Sequence, residues 1–460
     1  MGGKNLKEHS NREGFSSGLA AFFATLGSAV GLGNIWKFPY VVGSNGGAAF
    51  LLVYFGFILF IGLPIMISEF YIGRKTRKNV VGAIDQFTTN KIWKGIGGLS
   101  ILGAYFVLFF YSTVGGWVYS YVFKSIRGVF NGSTTDSVRQ EFLGTTNAMI
   151  SPIVWQLVVI VVVSIILILG VKNGIEKITK TLMPVLFILI LACDIKALTL
   201  PGMANSFKFL FKADFSSLTT QGILMAMGLA FFKMSVGMGA MVTYGSYFTK
   251  KDNMIGTAVK VAVSDTIVSL LVGLAVFSAV FTFNMKPAGG PGLLFMTVPL
   301  VFTKIPFGTV LLVAFFILAS IAATMAMTSM CEVVVVYLVE QKGMSRTKSV
   351  ILNACIIFAF GIFATLSSNP GAVLGGFTVA GLRIFEIFDY LSSNIILPLG
   401  GLFIAILIGY FIPKKDFEEE LSNNGELKNR KIISICRFIL RYITPVLVLV
   451  VFLSSIGIIK

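Results

Sequence analysis

About eleven runs of mainly apolar residues follow one another along the chain, at approximately 16–39, 47–72, 98–124, 151–170, 177–200, 217–248, 256–283, 307–340, 347–366, 376–411 and 433–459. Runs of roughly 20 such residues are what a helix needs to cross about 30 Å of hydrocarbon. In that medium each backbone N–H and C=O must be satisfied within the protein, and for runs of this length the helix is the solution. The chain is therefore expected to be an all-α polytopic membrane protein with about 11 transmembrane helices. A composition of 56% hydrophobic and only 12% charged residues excludes a soluble globule.

The formal charge of +17 does not point to nucleic acid, because the basic residues are not gathered on one face or tail. Lys4, Lys7 and Arg12 precede the first run. Arg74, Lys75, Arg77, Lys78, Lys91 and Lys94 lie between the second and third, and Lys172, Lys177, Lys250, Lys251, Lys342, Arg346, Lys348, Lys414 and Lys415 fall on the same side by alternation. The positive-inside rule makes that side cytoplasmic. The expected setting is the cytoplasmic membrane, with the N-terminus inside and the C-terminus outside. Residues 1–15 are polar and no small-residue cleavage pattern follows the first run, so no cleavable signal is expected. Cys193, Cys331, Cys355 and Cys436 sit in or beside apolar runs without Cys-x-x-Cys spacing and read as buried small hydrophobes. The single histidine, His9, lies in the polar N-terminal segment, which argues against a histidine-centred catalytic or metal site.

Two of the runs are interrupted by nearly the same words, Ser28-Ala29-Val30-Gly31-Leu32-Gly33-Asn34 and Ser235-Val236-Gly237-Met238-Gly239-Ala240. Glycine costs about 1 kcal/mol and proline about 3 in a helix interior relative to alanine, so Gly31, Gly33 and the following Pro39 predict a break. Irregular backbone at membrane depth is tolerated only inside protein or around a cavity, where carbonyls can hold a cation and N–H groups an anion. Five runs separate the two breaks, and an odd offset inverts the second copy. The expected organisation is a cytoplasmic segment 1–15, a first inverted repeat 16–203, a second 204–412, a cytoplasmic linker 413–431 and an eleventh span 432–460. This is a 5+5 inverted repeat with broken helices one and six plus one extra helix. Close helix packing at small residues is the alternative reading of the echo.

The run Gly27 to Tyr40, then Asn45-Gly46-Gly47-Ala48-Ala49-Phe50, then Gly62-Leu63-Pro64-Ile65-Met66-Ile67-Ser68-Glu69-Phe70 with Gly73-Arg74, resembles the bacterial neurotransmitter:sodium symporter family. The resemblance continues through Phe110-Tyr111-Ser112, Gly116-Trp117, Gly174 and Pro184, Leu198 to Gly202, Thr243 to Tyr247, Pro291 to Phe295, and Arg441 to Pro445. Inverted repeats with midplane sites at broken helices belong to that family. The resemblance implies a carboxylate site on the backbone around Ala29, Gly31, Leu32 and Gly33 with the Tyr111 hydroxyl. It also implies carbonyls for an amine near Phe232 and Ser235, and a side-chain pocket of Val107, Phe232, Met238 and Met330, to which Ser28 adds a hydroxyl. It places a cytoplasmic gate at Arg12 and Glu340, near Tyr247, and an extracellular gate at Lys37 and Asp389 under the Phe232 lid. Lys37 stands where arginine is usual and gives only a point charge.

The family's sodium sites are where this chain departs. The first would use Ala29, Asn34 and the positions of Lys233 and Asp265, but an ammonium is all donor and cannot ligate Na⁺. At the second, Gly27 and Val30 are in place while Met325 and Ala326 stand where hydroxyls belong, and hard cations need oxygen ligands. Aligning three or four residues differently recruits Thr328 or Ser329 but displaces Glu332 from its match. A charge at membrane depth costs on the order of 2.5–3.5 kcal/mol and normally has a partner; Asp265 is expected, with Glu69 second. Asp194 and Lys196, near the outer end of the fifth span, read as a surface-level pair.

The expectation is a secondary transporter of a small amino-acid-type solute, neutral and fairly large, with Lys233 replacing the first sodium. Transport would be proton-linked if Lys233 loses its proton in one facing state, and exchange or facilitated movement if Asp265 keeps it charged. The alternatives are a Na⁺ symporter with atypical ligands and a non-transporting solute receptor. No cofactor, metal or nucleic acid is expected, and Na⁺ is in doubt; the partners are the solute, an amino acid or related amine, and the lipid bilayer.

Overall fold

The computed structural model describes residues 13–88, 90–284, 292–302, 306–455 and 457–458. Nine continuous helices within them are long and apolar enough to cross a membrane: Ala48–Thr76, Ile92–Ile126, Ser151–Ile168, Val171–Ala197, Met254–Thr282, Gly308–Lys342, Arg346–Leu366, Ile384–Phe411 and Arg430–Ser454. The first span is a bent pair, Gly18–Ala29 and Gly33–Ser44, turned by 46° at the break. The sixth is also a pair, Thr220–Lys233 and Ala240–Gly245, each half too short to span alone. The bent first pair brings the count among the described residues to ten, and taking the two halves of the sixth together as one further span gives the eleven expected. The third begins nearer the N-terminus than hydropathy suggests, because Asn90 caps its polar first turn by accepting from the Ile92 N–H.

Caps fix the starts of the spans that carry the site. Ser17 accepts from Ala20 N–H at the first span, Thr219 from Gly222 N–H at the sixth and Asn253 from Gly256 N–H at the seventh. The break in the first span falls at Val30–Leu32, where the chain turns and resumes as a π-helical turn over Gly33–Lys37. Pro39 does not cause the break: it lies seven residues beyond Leu32, in the α-helical segment that follows the π-helical turn. Gly237, at φ +85°, allows the sixth span to turn against the tenth, since a Cβ there would lie 2.2 Å from the Leu397 carbonyl oxygen. Outside the spans, Thr378–Val379 and Leu382–Arg383 pair as a small antiparallel hairpin, whose turn residues Ala380 and Gly381 both have positive φ. It is a minor departure from the all-α expectation.

The eleventh span is tied to the bundle by its linker. Arg74, at the end of the second span, reaches Glu420 at 2.6 Å and the Asn423 side chain at 3.0 Å, and also donates to the Asp252 carbonyl. Tyr71 packs edge-on against Phe417. Asp194 differs from its expected pairing with Lys196: both of its carboxylate oxygens are buried and have no hydrogen-bond partner among the described residues.

Candidate functional site

The two breaks meet at mid-span. A Cβ on Gly33 would lie 3.2 Å from both Lys233 Cγ and Phe232 Cε1, and the Ser235 hydroxyl donates to the Ser28 carbonyl at 2.9 Å. That bond helps hold Ser235 in a left-handed conformation, φ 52°, which L-residues adopt at a cost of about 1–3 kcal/mol. Between the breaks lies an enclosed cavity of about 10 Å³, walled by Ser28, Ala29, Gly31, Gly33, Tyr111, Phe232, Ser235, Met238 and Met330, with Lys233 and Ala326 completing the wall. Val107 is buried but is not part of that wall, and Leu32 takes part through its backbone: its N–H donates to the Tyr111 hydroxyl at 2.7 Å. That donor and that hydroxyl are the pair a solute carboxylate would engage at the start of a half-helix. A methyl at Gly31 would fall 2.6 Å from the Tyr111 oxygen and 2.7 Å from Ala326 Cβ. Gly31→Ala is therefore expected to abolish solute binding while the protein still folds, checked by thermal-shift titration with amino acids beside size-exclusion profiles.

Lys233 ends the first half of the sixth span, where the helix dipole favours a cation. Its ammonium lies 2.9 Å from Asp265 Oδ2, and both side chains are fully buried. It also donates to Ser269, which in turn donates to the Asp265 carbonyl at 2.8 Å. The other Asp265 oxygen accepts from the Asn34 amide at 2.6 Å, and that amide also reaches Ser269 at 3.0 Å. The Asn34 oxygen accepts from Gly31 N–H at 3.3 Å. The rings of Phe38 and Tyr54 sit 4.8 and 5.2 Å from the ammonium, which adds cation–π attraction in a dry site. Asn34, Lys233 and Asp265, three of the residues expected at the first ion site, are thus drawn into one network, while Ala29 lines the adjoining cavity. Ser269 was not expected: one helical turn after Asp265, it carries no charge and no glycine break to mark it.

Glu69 does not pair with Lys233. Its carboxylate accepts from Gly237 N–H at 2.6 Å and Val242 N–H at 3.3 Å. An acid at the start of the sixth span's second half answers unpaired backbone donors there and complements the helix dipole. At the second ion position, Met325 sulfur lies 3.4 Å from where a Gly27 Cβ would stand, with the Thr179 methyl at 3.2 Å. Met325 and Ala326 therefore face the first span with a thioether and a methyl. The hydroxyls that a shifted alignment would recruit are engaged elsewhere, Thr328 on the Thr324 carbonyl and Ser329 on the Ala326 carbonyl and the Ser28 hydroxyl.

Lys37 and Asp389, expected as a pair, do meet. Lys37 Nζ lies 2.6 Å from Asp389 Oδ1 and 3.1 Å from the Ser393 hydroxyl, and 4.5 Å from the centre of the Phe232 ring. Of the second expected gate pair, Arg12 lies outside the described residues, and Glu340 accepts from the Asn79 N–H and side-chain amide at 2.7 and 2.8 Å. Tyr247 donates to Glu332 at 2.6 Å, and Arg346 grips the same carboxylate with two bonds of 3.0 and 2.7 Å.

At about 10 Å³ the cavity is closed around its polar groups, so a solute enters it only when the two breaks move apart. The sequence matches the sodium:neurotransmitter symporter family over residues 12–145 and 131–460. The chain belongs to that family. It is 35% identical to an uncharacterized sodium-dependent transporter of Bacillus subtilis, YhdH, over 97% of this chain and 98% of that protein. A similar uncharacterized sodium-dependent transporter of Haemophilus influenzae is also 35% identical, over 96% and 98%. The crystal structure of MhsT in complex with L-phenylalanine superposes with a TM-score of 0.91 at 40% identity, covering 96% of this chain and all of that one. As a member of the family the chain is a multi-pass membrane transporter and not an enzyme, and the fold expected from the two breaks is the family's fold.

Proposed function

We propose that this chain carries a neutral, fairly large amino acid across the cytoplasmic membrane by alternating access, with the Lys233 ammonium in the place of the first sodium ion. The observation that carries the reading is the fully buried Lys233–Asp265 pair of 2.9 Å, closed by Asn34 and Ser269. A fixed cation there holds Asp265 and the ends of both broken helices together, the task an ion would otherwise perform, and it cannot itself ligate Na⁺. The apolar side chains Met325 and Ala326 at the second position support the same conclusion, since they offer no oxygen to a hard cation. Movement is driven by a proton or by exchange of one solute for another. The walls of Phe232, Met238 and Met330, and the L-phenylalanine bound by the similar MhsT, support a large side chain. The N-terminus is cytoplasmic by the distribution of lysine and arginine.

The test is radiolabelled uptake into proteoliposomes with Na⁺ replaced by choline. Uptake persists on this reading, and strict Na⁺ dependence would sink it. The sodium-dependent relatives favour a second reading, Na⁺ symport through altered ligands, and the same assay separates the two. Restoring oxygen at the second position should create sodium binding. The double variant Met325→Thr/Ala326→Ser is expected to gain a Na⁺-dependent rise in thermal unfolding midpoint that the parent lacks, read with choline as the control cation.

A further inference from the structure

Away from the central site, the third, fourth, fifth and eighth spans enclose a groove of about 680 Å³, within the range of about 300–1,000 Å³ typical of small-molecule clefts. Its wall is apolar along most of its length, with Phe123, Ile165, Leu169, Leu182 and Ile321 among the side chains that form it. Ile165 and Leu169 are about half exposed, at 56% and 52%, so the groove opens toward the hydrocarbon around the bundle. Tyr119, Ser320 and Thr324 add hydroxyls from the third and eighth spans, and the groove's charge lies in the first turns of the fifth span, where Asn173, Lys177 and Thr181 share one helical face. Lys180, which is not in the groove, is paired with Glu176 at 2.6 Å. The Lys177 ammonium has no carboxylate within ion-pair distance among the described residues.

We infer that this groove is a binding site for an anionic glycerophospholipid of the cytoplasmic leaflet, with one acyl chain in the apolar cleft and its phosphate on Lys177 and Asn173. A groove open to hydrocarbon selects a hydrocarbon chain over an aqueous solute. An unpaired cation at its polar end selects an anionic head, and the positive-inside orientation puts that end at the cytoplasmic headgroups. Ile178 and Leu182 form part of the wall, while Thr179 between them turns to the opposite side and packs toward Gly27 of the first span. An acyl chain in the groove therefore backs the fifth span against the break of the first.

The test uses the full-length protein, delipidated and placed in mixed micelles with dioleoyl phosphatidylglycerol, dioleoyl phosphatidylcholine or oleate. Retained lipid is read by native mass spectrometry and the unfolding midpoint by thermal shift. Phosphatidylglycerol is expected to bind about fivefold more tightly than phosphatidylcholine, the effect of one basic residue at an anionic headgroup. Lys177→Gln removes that preference, Lys172→Gln leaves it intact, and Ile165→Trp, a change at a half-exposed position, lowers retention of both phospholipids by filling the cleft. The proposal is overturned by equal binding of the two phospholipids to the parent, by an equal loss in Lys172→Gln, by undiminished retention in Ile165→Trp, or by oleate outcompeting phosphatidylglycerol.

Discussion

Lys233→Thr is expected to transport only when sodium is present. The substitution removes the ammonium and places a hydroxyl near where it stood, beside Asp265, the Ser269 hydroxyl and the Asn34 amide, which can turn its oxygen inward. Those are oxygen ligands of the kind a hard cation takes. Without sodium the variant leaves Asp265 buried and without its counter-ion, a loss of about 3–5 kcal/mol when one partner of a buried pair is removed. Uptake in choline should fall about a hundredfold or more on that scale, and sodium should restore it. Uptake by the variant in choline at the parent's rate would refute the substitution of ion by lysine. Lys233→Met separates the charge from the hydroxyl: it should lose uptake in choline and gain nothing from sodium.

The second large effect is on stability. Asp265→Asn strands a buried ammonium, whose remaining partners are the Ser269 hydroxyl and two aromatic faces. The cost is expected at about 3–5 kcal/mol, seen as a lowered unfolding midpoint and a poorer yield of monodisperse protein. The double variant Lys233→Met/Asp265→Asn should recover most of the loss, because removing both charges of a buried pair together is far less costly than removing one. A double variant no more stable than Asp265→Asn would mean that the carboxylate acts chiefly through Asn34 and the backbone, and not through the lysine.

How much of this was legible in the sequence depends on what kind of signal each residue gives. Lys233 and Asp265 could be paired from the chain alone because charges are rare at membrane depth, and two opposite ones on neighbouring spans near a break have few other ways to be satisfied. Glu69 was misread by the same logic. Its partners are the N–H groups of Gly237 and Val242, and backbone donors freed by a broken helix leave no letter in the sequence. Ser269 was missed because a serine inside an apolar helix usually bonds to the carbonyl one turn back, as this one does; only the fold shows that its oxygen also receives Lys233 and Asn34. Tyr247 was placed near the Arg12–Glu340 pair with no acid assigned to it, and the fold gives its hydroxyl to Glu332, two turns before Glu340 on the same helix. The breaks were located because glycine at that density cannot continue a helix, whereas Pro39 only looked like a cause.

On the proposed alternating-access reading, the Lys37–Asp389 pair and the Phe232 ring act as one object. Lys37 holds Asp389 with its charge while its ammonium rests against the Phe232 ring, and that ring also walls the central cavity. Releasing the ion pair uncovers the lid, and swinging the lid strips the cation of its aromatic support. Entry from outside should therefore follow a single opening rate: a fluorescent reporter on the tenth span and one near Phe232 should relax with the same time constant after solute is added.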